Sequence, residues 1–114
     1  MQYALLIYNT SGDAPTDLER PMDRRIAAIL ERPEIVTWAR LRHPGSATTI
    51  QRSAGNRLLS DGPFVDSKEF LGGLILVEAD NLDAALAVAA ELAELDVTAA
   101  IEVRPVLEQV QRSA

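Results

Sequence analysis

Two stretches of this chain are apolar on both faces of a would-be strand, and nothing else in the sequence constrains its fold as tightly. Residues 2–9, QYALLIYN, have strand-forming composition without the alternation of a half-buried strand. Tyr3, Leu5 and Ile7 point one way, and Ala4, Leu6 and Tyr8 point the other. Residues 73–79, GLILVEA, repeat the pattern. Strands of this kind need cover on both sides.

The cover available within the chain is limited. Residues 80–95, DNLDAALAVAAELAEL, give the clearest helix, capped by Asp80 or Asn81, with Leu82, Ala85, Leu86, Ala89 and Leu92 as its buried stripe. A second helix is expected from about Pro21 to Glu31, because Pro21 lacks the amide a continuing helix needs but suits a first helical position. Thr16 and Glu19 upstream have capping-box spacing. Residues 34–45 favour a strand through Ile35–Trp38 and stop at Pro44-Gly45. Ala47 to Arg52 and Arg57 to Ser60 flank a turn at 54–56 and form a hairpin. Residues 98–106 close the chain's pattern as a strand, with Ile101 and Val103 on one face and Glu102 and Arg104 on the other.

The order strand, helix, strand, hairpin, strand, helix, strand predicts an α+β fold, a ferredoxin-like sandwich with an antiparallel sheet and two main helices. Two helices cover only one face of such a sheet. Each Leu or Ile left exposed on the other costs about 1.5–3 kcal/mol relative to burial. A second copy packed sheet on sheet resolves this, so a two-fold homodimer is expected.

Composition narrows the function classes. At 114 residues with 47% apolar and 25% charged side chains, the chain reads as one globular domain spanning 1–114. No cysteine is present, which removes thiolate catalysis, thiolate metal sites and disulfides. A single histidine, His43, removes multi-histidine metal centres; a carboxylate-only magnesium site stays open, with nothing specific in its favour. A formal charge of −6 argues against a nucleic-acid partner. No apolar run is long enough to span a membrane, and Met1-Gln2-Tyr3 opens on strand pattern without a basic leader, so the cytoplasm is the expected location.

The stretch 58–73, LLSDGPFVDSKEFLGG, differs from the rest: a turn tetrapeptide, the only lysine and a Gly-Gly pair fall within it. With YALLIYN at the start, the continuation to 90 (LILVEADNLDAALAVAA) and IEVRPV at the end, it resembles the YCII-related family, and more narrowly the branch named for its DGPF motif. The resemblance implies a dimeric α/β barrel whose two sheets enclose pockets. Relatives of this fold include cofactor-free isomerases, monooxygenases and a dehalogenating branch, so no cofactor is expected. The resemblance also implies, in bacteria, association with extracytoplasmic-function sigma factors, and hence a non-catalytic sensing or interaction role as an alternative to ligand chemistry. The His–Asp pair of the wider group does not carry over, because residues 23–27 hold no histidine.

The candidate site residues each have two readings. Asp61, in Asp61-Gly62-Pro63-Phe64, is either turn chemistry with Phe64 anchoring the loop, or a general base at a pocket mouth. Lys68 and Glu69 are either a local salt bridge on a solvated helical turn or a cation and carboxylate supplied to a ligand. Arg104 can grip a substrate carboxylate or pair with Glu102, Asp61 or Glu69. Tyr8 can donate into a pocket or sit as an amphipathic core residue. Gly72-Gly73 can admit close backbone approach to a ligand or to a partner sheet. His43, before Pro44-Gly45, is an exposed loop histidine or a base of near-neutral pKa, and Trp38 is core, dimer interface or a stacking platform. The expected function is binding of a small polar or aromatic molecule in a barrel pocket, with or without turnover.

Overall fold

The computed structural model of the chain describes residues 1–10, 21–65, 67–95 and 100–110. Its central strand is the first apolar stretch. β1 (Gln2–Thr10) pairs antiparallel with β5 (Glu69–Glu78) on one side and with β6 (Ala100–Pro105) on the other. β2 (Ile35–Arg40) lies along the outer side of β5, giving the order β2-β5-β1-β6. Helices α1 (Arg24–Leu30) and α2 (Leu82–Leu95) complete an α+β, ferredoxin-like arrangement. Between β2 and β5 the chain inserts β3 (Thr48–Ser53) and β4 (Asn56–Asp61), which pair only with each other as a separate two-stranded sheet.

Burial separates the two faces of the main sheet. Tyr3, Leu5, Ile75 and Val77 are buried against Ile29 and Leu30 of α1 and Ala85, Val88, Ala89 and Leu92 of α2. Ile101 and Val103 pack against this core from β6. The opposite face carries Ala4, Leu6, Leu74 and Leu76, all only partly covered. Register sets Leu6 beside Glu102 and Ala4 beside Arg104, so β6 presents its polar residues to that face. At the far side of the core, Arg32 donates to both carboxylate oxygens of Glu91 at 2.7 and 3.0 Å and ties the end of α1 to α2.

Several local expectations are corrected. α1 begins three residues after Pro21: Asp23 is its N-cap, extended at φ −64 and ψ 133, and its Oδ1 accepts from the Arg25 amide at 2.7 Å. An aspartate oxygen can satisfy an orphan amide that proline cannot, so the cap sets the start. The Thr16–Glu19 pair lies outside the described residues. Of the two candidate caps of α2, Asp80 and Asn81, it is Asn81 that accepts from the Ala84 amide, at 2.9 Å. The buried stripe of α2 is Ala85, Val88, Ala89 and Leu92, while Leu82 and Leu86 are exposed at its flank. Finally, β5 starts at Glu69 rather than 73, so Lys68-Glu69 enters a strand and is not a helical turn.

Candidate functional site

The DGPF turn is built to close the root of the hairpin. Asp61 ends β4 with its Cα opposite Thr48, and Gly62 follows at φ +99, a conformation that favours glycine. The Gly62 amide donates to the Ala47 carbonyl at 2.7 Å, and the Thr49 hydroxyl donates to the Gly62 carbonyl at 2.7 Å. Asp61 is exposed. Phe64, expected as an anchor, is instead 68% exposed, as is its neighbour Val65 at 66%.

The two segments that frame the hairpin, after β2 and before β5, enclose a cleft of about 690 Å³ at the Tyr8 end of the sheet. That volume lies within the ordinary range for small-molecule sites. Leu41, Pro63, Val65, Phe70 and Leu71 make most of its wall apolar, and its polar groups include Tyr8, Arg42, His43 and Glu69, with the hydroxyls of Ser46 and Ser67. Register explains part of the convergence. β1 and β5 slip by one residue between Ile7 and Tyr8, so that Ile7 opposes Gly73 and Tyr8 opposes Leu71. Gly72 is the extra residue of this bulge. A Cβ there would lie 2.0 Å from Asn9 Oδ1, and one at Gly73 would lie 3.1 Å from the Ala39 carbonyl oxygen. The Gly-Gly pair therefore serves close packing within the chain, with the Asn9 side chain and the β2 backbone occupying the space.

His43 precedes a short 3₁₀ turn, Pro44–Ser46, and acts as its cap: Nδ1 accepts from the Gly45 amide at 3.1 Å. With Nδ1 accepting, the neutral ring carries its proton on Nε2. The imidazole lies 5.7 Å from the Phe70 ring, tilted by 52°. This pairing fixes an aromatic corner in the cleft. The sequence signal was the histidine before Pro-Gly, but its partner, Phe70, is 27 residues further along and follows only from the β2–β5 pairing.

Tyr8 joins the cleft to the bare sheet face. Its hydroxyl donates to Glu102 Oε1 at 3.4 Å, and Arg104 Nη2 donates to Glu102 Oε2 at 2.6 Å. The Arg104 bond chiefly, with a smaller contribution from Tyr8, holds the Glu102 carboxyl below the usual range, and Glu102 in turn raises Arg104. Of the residues singled out in the sequence, Tyr8 and Glu69 line the cleft together. Arg104 lies outside the lining and is paired with Glu102, and Lys68 and Asp61 are exposed outside it. Ser67 Oγ accepts from the Glu69 amide at 3.2 Å, which shapes the entry of β5. Trp38, half-exposed on edge strand β2, is not part of the cleft. Among the described residues no three histidine, aspartate or glutamate side chains cluster closely enough to hold a metal ion, and no helix is long and apolar enough to cross a membrane.

Comparison with known proteins agrees with the architecture. The family profile of the YCII-related domain matches residues 1–109. An uncharacterised protein of Rhizobium meliloti (strain 1021) is 37% identical, over 92% of this chain and 91% of its own length.

Proposed function

The chain belongs to the YCII-related family, and we propose that it binds a small, largely apolar or aromatic molecule in the cleft beside Tyr8, as a homodimer joined through its bare sheet faces. The observation that carries this reading is the composition of the cleft. An apolar wall is interrupted by few polar groups, with the His43–Phe70 ring pair at one corner. Such a wall takes up an aromatic ring, and the polar groups orient it. The Tyr8 hydroxyl donates a hydrogen bond to Glu102 and keeps acceptor capacity on the same oxygen, Glu69 is a second acceptor, and Arg42 is a cation. Asp61, Lys68 and Arg104 have no place in this binding role; catalysis, if the ligand turns over, falls to Glu69, Tyr8 or His43.

The dimer follows from the half-covered Ala4, Leu6, Leu74 and Leu76. Burial of several such side chains against a second sheet recovers about 25 cal/mol for each Å² removed from water. Binding without turnover, the sensing alternative, uses the same cleft and differs only in the fate of the ligand.

The test is a screen of phenols and aromatic carboxylic acids at concentrations on the order of 1 mM, read by amide chemical shifts. The expected result is perturbation confined to Tyr8, residues 41–47, Val65 and residues 67–71, with affinity roughly tenfold weaker in His43→Ala. Shifts confined to any other surface, or none from the whole set, would sink the reading. Mass analysis of the bound compound after incubation separates an enzyme from a sensor.

A further inference from the structure

We propose that the β3–β4 hairpin is a docking arm that seats on a second copy of this chain, where its Ile50–Leu59 pair is covered and its Arg52 and Arg57 meet carboxylates. This contact is independent of the cleft reading and adds to the sheet-face contact between the same two copies, so that loss of the arm weakens an association the sheet faces alone would still support.

Three observations carry it. First, the hairpin is left to itself: among the described residues β3 and β4 each pair with one strand only, and every residue in them but Thr49 is exposed. A lone two-stranded hairpin is at best marginally stable in water, so a surface must be supplied to it. Second, that surface is apolar in part. Ile50 and Leu59 are direct cross-strand partners, 62% and 66% exposed, and Leu58 on the other face is 52% exposed. Third, Arg52 lies directly opposite Arg57 on the same face as Ile50 and Leu59. Like charges opposed across a ladder are destabilising unless an anion joins them. Among the described residues neither arginine forms an ion pair.

Charge says what the occupant is. The hairpin, residues 48–61, carries Arg52 and Arg57 against a single carboxylate, Asp61, while the other nine cationic side chains share the rest of the chain with sixteen carboxylates. The body is therefore strongly acidic and the arm basic, so a second copy of the same chain is complementary to the arm. The same imbalance opposes a nucleic-acid occupant, because the acidic body would be brought near phosphates with it.

The experiment is sedimentation equilibrium of the whole chain, wild type against the pair Ile50→Asp/Leu59→Asp and the pair Arg52→Glu/Arg57→Glu. The second pair keeps the apolar residues, which guards against reading misfolding as dissociation; far-ultraviolet circular dichroism checks both. The proposal expects self-association weakened roughly thirtyfold or more in each pair, and wild-type association weakened by raising salt. Because the chain has no cysteine, a nitroxide on Gln51→Cys can be mixed with isotope-labelled wild type. Broadening of body resonances in the labelled copy then reports the arm of its neighbour. Wild type that stays monomeric, arm variants that associate as tightly as wild type, absence of that broadening, or arm-dependent binding of an oligothymidylate in place of self-association would each overturn the proposal.

Discussion

The helix-covered face of the main sheet and the β3–β4 hairpin are built from similar residue types, and they differ in what those residues touch. Leu5 in β1 has no exposed surface, whereas Leu59 in β4 is 66% exposed. Both are leucines in antiparallel strands with partners on the same register. Leu5 is covered because α1 and α2 lie over it, and Leu59 is not because the hairpin leaves the sheet before either helix can reach it. Strand composition is therefore a poor guide to burial, and connectivity decides it.

Truncation should separate the two regions most sharply. Leu5→Ala is expected to cost about 3 kcal/mol in urea unfolding, as for a buried leucine that leaves a cavity. Leu59→Ala should cost under about 0.5 kcal/mol in the monomer, its effect appearing instead in self-association. Equal losses in both would break the comparison.

A smaller effect is expected from crowding and relieving the backbone. Gly72→Ala forces a methyl onto the Asn9 carboxamide and should cost about 1–2 kcal/mol. The double variant with Asn9→Ala should recover most of that loss, which a backbone origin would not allow. In the hairpin the change runs the other way. Ala54 holds φ 50 beside Gly55 at φ 82, a two-residue turn of the type that prefers Asn-Gly. Ala54→Asn should leave the body unchanged in thermal unfolding and raise amide protection across β3 and β4.

The smallest effect is electrostatic. The Arg25 side chain first, and its amide second, pull the Asp23 carboxyl down to about 2 from an ordinary value of 3.8. A depressed folded-state value stabilises the fold above the unfolded value, and that contribution fades as pH falls from about 4 towards 2. Carboxyl-carbon titration by NMR should find the Asp23 midpoint near 2 and return it towards 3.8 in Arg25→Ala.

What could be read from the sequence follows the same division. The two-faced pattern of residues 2–9 and 73–79 marked the central strands correctly, because apolar side chains on both faces are visible one residue at a time. The stripe of α2 was set too far towards Leu82 and Leu86. In a helix this rich in Ala and Leu, neighbouring arcs score alike, and only packing against α1 and the sheet chooses Val88. The cleft was half legible. Tyr8 and Glu69 stand out as polar groups at strand ends, but Arg42 and His43 reach it only through the pairing of β2 with β5. Phe64 was misread for a related reason: an aromatic after a turn suggests an anchor, and no local signal says whether the surface to receive it lies in the same chain.

The order β2-β5-β1-β6 also governs when the sheet can exist. β1 is made before both of its partners, and they are distant in sequence, Tyr3 facing Val77 on one side and Pro105 on the other. During synthesis it has no strand to pair with until most of the chain has been made, whereas β3 and β4 can close locally through Ala54–Gly55. For that interval a strand apolar on both faces waits unpaired, and co-translational folding of this chain depends on keeping residues 2–9 from other chains until β5 arrives.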